Sequence, residues 1–113
     1  MLLPHRIIRV SASQYKSAGG DIGQLEYSDS RPAIRANVQA ESQEAVYAMY
    51  QKEVSRPHVA YMRVRDAQAF QDQDVVIFGT RRFRVMAAPT IQEHGRSTDH
   101  GRILMQEIVN APV

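Results

Sequence analysis

The chain has no cysteine and no tryptophan. Without cysteine there are no disulfide staples and no thiolate zinc sites, so the fold must rest on packing and hydrogen bonds. That absence also fits a reducing compartment. Aromatic side chains make up only 7% of the residues, few for a groove that stacks successive bases. No apolar run approaches the roughly 20 residues of a membrane-spanning helix. The opening MLLPHRIIRV interrupts its apolar stretch with His5 and Arg6, unlike a secretory leader. A cytoplasmic product is expected, with no membrane partner. The excess of basic over acidic residues is small too, 14 against 12. The net charge is +2, and a dedicated DNA-binding domain usually carries a concentrated basic stripe.

What is present describes an ordinary globule. At 113 residues, 43% of them hydrophobic, the chain makes one domain with a core of its own. Twelve of its 14 basic residues are arginine, the side chain suited to bidentate pairing with carboxylates and phosphates and to interfaces.

Hydrophobic period sets the expected elements. Residues 5–12 read as a strand rich in β-branched side chains. Residues 13–32 are irregular, with Gly19, Gly20, Gly23 and Pro32. A loop this long is either functional, ordering on binding, or a surface insertion. In 33–40, Ile34, Ala36 and Val38 alternate with Arg35, Asn37 and Gln39, a strand with one wet face. From Glu41 to Glu53 the period changes. Ser42 as N-cap, Glu44 in the first turn and an apolar stripe of Val46, Met49 and Tyr50 predict a short helix. Pro57 biases Arg56 towards extended geometry. Residues 58–65 alternate as a third strand, and 66–73 are polar around Phe70. A hairpin follows, with strands 74–79 and 82–88 around Gly79-Thr80-Arg81. A polar loop over 89–99 leads to a last strand, 100–109. The class expected is mainly β: a small antiparallel barrel of about six strands with one short helix and long loops, closed so that strand edges are not exposed.

Motifs for chemistry are sparse. GGDIG at 19–23 lacks the GK[ST] and the following helix of a phosphate loop. His94, Asp99 and His100, with His5 and His58 elsewhere, have no metal-ligand spacing. Asp99 reads instead as a turn residue bonding backbone amides, and His100 as the start of a strand. Ser97, Asp99 and His100 are too close in sequence for a triad, and no nucleophile elbow is present. Asp72 with Asp74, and Glu41 with Glu44, lie in a polar turn and an exposed first turn, where nothing raises a carboxyl pKa. No catalytic residue, cofactor or metal is assigned. Arg63, Arg65, Arg81, Arg82 and Arg84, near Tyr61 and Phe83, admit an oligonucleotide-binding barrel. They equally admit a wet face paired with Asp66, Asp72 and Asp74.

Taken in order, RIIRV, AIRANVQAES, RPHVAYMRV, DQDVVIFGTRRFRVMAAP and DHGRILMQEIV resemble the phage head–tail joining proteins. The likeness spans almost the whole chain. It includes a hairpin with Gly79, Phe83 and Val85 and a closing strand with Glu107 and Val109. Within that family the sequence is most similar to the head-closure, or stopper, proteins of long-tailed bacteriophages, prophages and gene transfer agents. The resemblance implies a virion protein at the head–tail junction, made in the bacterial host cytoplasm. Its partners would be the portal–adaptor connector and tail proteins. Its copies would form a dodecamer-like ring, monomeric before they meet that platform, that retains packaged DNA and offers the tail a docking surface without catalysis. Candidate interface or channel-lining residues are Arg81, Arg82 and Arg84, which suit acidic partner surfaces or non-specific contact with packaged DNA, and Glu41, Glu44 and Glu53. The latter three would repel phosphates in a gate, or simply form a wet helix face. A tail-completion protein on the other side of the same junction is the nearest alternative.

Overall fold

A computed structural model describes residues 2–11, 33–92, 95 and 99–108. The loop expected over 13–32, with its glycines, lies outside them, as do His94, Ser97 and Val109.

Among the described residues seven strands form: β1 (His5–Val10), β2 (Ile34–Ala40), β3 (Pro57–Met62), β4 (Val75–Phe78), β5 (Arg81–Val85), β6 (Thr90–Gln92) and β7 (His100–Glu107). The helices are α1 (Gln43–Tyr50) and α2 (Val64–Ala67). Every strand pairing is antiparallel, in the order β3-β2-β1-β4-β5-β7, and β3 pairs back onto β7. Six strands therefore close into a barrel, as expected from the sequence. Strand β7 is long enough to serve three neighbours: β3 along one edge, and β5 and then β6 along the other.

Alternation decides what fills the barrel. Ile7, Ala36, Val38, Ala60, Met62, Val76, Phe83, Val85, Ile103 and Met105 point inward and are buried together. One end of this core is closed by the chain that follows β3. Strand β3 stops at Met62, three residues short of the expected end, and α2 turns across the barrel mouth to bury Ala67 and Phe70. The alternation of Met62, Arg63, Val64 and Arg65 contains no local stop, so sequence pattern did not separate this turn from more strand. Nearby, the buried Asp74 carboxylate accepts from the Arg9 guanidinium at 2.9 Å and from the Gln71 amide at 2.9 Å.

Helix α1 covers the outside of the barrel. Val46 and Val54 pack on Val59 and Leu104, which face outward from the paired strands β3 and β7. Val59 is thus fully buried although it lies on the barrel's outer side. The helix is shorter than the expected 41–53, because Gln51 takes a left-handed φ of 56° and ends it. Met49, expected in its apolar stripe, is 46% exposed; Val46 is buried and Tyr50 half-buried. The Ser42 hydroxyl accepts from the Ala45 amide at 3.1 Å, the N-cap read from sequence. Ser42→Ala should lower unfolding free energy by about 1 kcal/mol, while Ser42→Asp should hold it, as measured by urea titration.

Two turns differ from expectation. The β4–β5 hairpin closes on Gly79 and Thr80 alone, since Arg81 already pairs with Phe78. Gly79 has φ +62° and Thr80 is not in the positive-φ region, the pattern of a type II′ turn. Strand β5 then ends at Val85 rather than at 88. Arg56, expected to be extended before Pro57, has φ +49°. Its carbonyl accepts the Glu107 amide, a tertiary bond, and lies within hydrogen-bond distance of the nearby His58 ring; together these outweigh the local bias. Strand β6 lies within the stretch read as a loop; Thr90–Gln92 pairs with the start of β7 and Ile91 packs on the core.

Candidate functional site

Strand period separates the three candidate arginines of β5. Arg81 shares the inward face with Phe83 and Val85; Arg82 and Arg84 point out. At the barrel end opposite α2, Arg81 Nε donates to Glu107 Oε2 at 2.7 Å. Arg81 Nη2 lies 3.0 Å from His58 Nε2, and His58 Nδ1 lies 3.0 Å from the Arg56 carbonyl. A carbonyl only accepts and a guanidinium only donates, so the hydrogen sits on Nδ1 and Nε2 accepts from Arg81. The His58 ring meets Phe83 edge-on at 4.9 Å, and the Arg81 guanidinium lies 5.1 Å from the Phe83 ring centre. Arg81 is therefore a closing residue of the barrel end, held internally.

This pair perturbs both its members. The hydrogen bond from Arg81, reinforced by its charge, lowers the Glu107 pKa against an opposing cost of burial. The same bond raises that of Arg81. Because the folded Glu107 pKa lies below its unfolded value, the pair stabilises the protein at neutral pH, and that stabilisation is lost as pH falls through the folded value. Arg81 is 44% exposed, so solvent screening limits the pair to about 0.5–1 kcal/mol. Glu107→Gln should cost that amount at pH 7, and the difference from wild type should shrink towards zero as pH falls through the lowered Glu107 value, read from urea midpoints at neutral pH and across an acid titration.

Arg82, expected at a wet face, is buried, only 6% exposed, opposite Ile77 on the outer side of the β4–β5 pair. Arg84 is half-buried, and its Nη1 donates to the Gln73 carbonyl at 3.3 Å. The expected pairing with nearby aspartates is replaced by other partners: Asp74 holds Arg9, and Asp72 accepts from the Gln73 side chain. Phe83, a possible base-stacking ring from sequence, is fully buried. Tyr61 instead packs against the outer cluster under α1 and meets the His100 ring at 5.7 Å.

The acidic candidates divide differently. Glu44 and Glu53 line one groove of about 680 Å³ between α1 and the following chain, with Gln43, Tyr47, Val54 and Ser55. Both glutamates are exposed, and Tyr47 is 56% exposed. Glu41 is half-buried before the helix, its amide bonded to the Pro57 carbonyl, and does not line the groove.

One surface escaped the sequence reading. Arg6 of β1 and Arg35 of β2 stand directly opposite each other on the outer face, both exposed. Arg63 follows the Met62 that pairs with Ala36, and so continues the row. The signal was present as Arg at the polar positions of alternating strands, but only the register reveals that they align.

The turn read at Asp99 is seen, its carboxylate accepting from the Gly95 amide at 2.8 Å, and His100 opens β7. Among the described residues no three His, Asp or Glu side chains gather as metal ligands, and no helix there is long and apolar enough to cross a membrane. Comparison with protein-family models, curated proteins and solved structures finds no match to this chain.

Proposed function

We propose that this chain is a structural subunit of a phage-type head–tail connector, a stopper that closes the DNA exit channel after packaging and presents a docking surface to the tail. The resemblance in motif order supplies the class. The observation that carries the reading is the closed barrel with charged patches of both signs on its outside. A barrel filled by side chains is a rigid block, and surface charge of two signs with no ion-pair partner among the described residues suits joining to other subunits. Such a protein would act in the virion, against a portal–adaptor platform on one side and tail proteins on the other.

An oligonucleotide-binding barrel is the rival. The exposed arginines favour it; the burial of Phe83 removes one of its few stacking rings. The two differ in salt response, because phosphate neutralisation releases counterions and makes affinity fall steeply with salt. Purified chain added to isolated portal–adaptor connectors should co-sediment with them as added rings, visible by electron microscopy. Absence of connector binding, together with a steep salt dependence of single-stranded DNA affinity, would replace this reading with the rival.

A further inference from the structure

We infer that the subunits join head to tail, the arginine row of one copy seating on the acidic groove of the next; this rests on the ring reading above. Like charges directly opposite each other on neighbouring strands are destabilising. Yet Arg6 and Arg35 face each other, Arg63 extends the row, and none of the three has an acidic partner among the described residues. The arrangement calls for an anionic surface supplied from outside. The same chain carries one of matching chemistry. Glu44 and Glu53 also lack a basic partner among the described residues, and they flank a groove whose rim holds the exposed Tyr47.

The two patches lie on different parts of the barrel. The row crosses the outer face of β1 and β2 to the end of β3, whereas α1 and its groove sit over β3 and β7. Complementary patches at different places on one subunit make a heterologous contact, which repeats and closes into a ring when its rotation permits. A second copy is favoured over nucleic acid because the net charge is only +2 and because an acidic groove has no use for phosphate.

A charge swap tests this. Arg6→Glu with Arg35→Glu, and separately Glu44→Arg with Glu53→Arg, change exposed positions only, so unfolding midpoints should stay near wild type. Each double variant should self-associate roughly tenfold or more weakly than wild type in sedimentation velocity at low salt. An equimolar mixture of the two should regain association, since each then meets an opposite charge. If free wild type is monomeric, the same comparison is read as ring occupancy on isolated connectors. Variants that assemble like wild type would overturn the interface and leave the connector reading intact. Wild type that associates neither free nor on connectors would overturn both. Loss of oligonucleotide binding by the arginine variant, with association unchanged, would make the row a nucleic-acid surface and end the proposal.

Discussion

Phe83→Ala should cost about 3–5 kcal/mol, the usual range for deleting a buried aromatic ring, out of a total stability of about 5–15 kcal/mol. Phe83 is fully buried on the inner face of β5, with Val76 and Glu107 as its cross-strand neighbours. It also carries the barrel end. The His58 ring stands edge-on to it and the Arg81 guanidinium lies over it. Removing the ring opens a cavity and loosens the groups that hold Arg81 against Glu107. The thermal midpoint should fall by more than about 10 °C, and exchange of the Arg81 and Glu107 amides should accelerate. Phe83→Leu keeps most of the volume and should cost less than half as much. A loss below about 1 kcal/mol for Phe83→Ala would mean that the ring does not fill this barrel.

Gly101→Ala should be the second most damaging change, although it adds one methyl group. A β-carbon at this position meets the Ala67 Cβ of α2 at a separation no real contact allows, and approaches Ile91 Cδ1 at 3.3 Å. Ala67 is itself fully buried, so the helix must move away from the barrel mouth. Overpacking of this kind costs about 1–3 kcal/mol. Ala67→Gly removes the opposing methyl, at a helix-propensity cost of about 1 kcal/mol. The double variant should therefore be more stable than Gly101→Ala alone, a non-additivity measurable in a double-mutant cycle of chemical denaturation. Simple additivity would show that α2 does not seat on β7 at Gly101.

The strands with one wet face were legible because their period of two is local. In β2, Ala36 and Val38 point inward, as Ile34, Ala36 and Val38 predicted. The Ser42 cap and the short helix it starts were equally legible, since a cap acts within one turn. Arg82 was not. Its alternation with Phe83 marks it as outward-facing, which is correct, but outward on this barrel is not the same as exposed. Val59 shows the same limit, since it faces outward and is buried by α1. Strand β6 escaped because three residues give too few alternations to separate a strand from a loop. The candidate site followed the same division. Glu44 and Glu53, nine positions apart, meet at one groove because the helix turns between them, while Arg81 leaves its neighbours for Glu107, 26 residues away.

The mainly β class, the inner face of most strands, the capped helix and the tight turn at Gly79 can be read along the chain, because each depends on neighbours within a few positions. That β3 closes onto β7, that α2 caps the barrel mouth, and that Arg6 and Arg35 stand face to face came from how the strands pack in space. Backbone hydrogen bonds are the same for every side chain, so local period states which face a residue takes but not which distant strand will lie beside it.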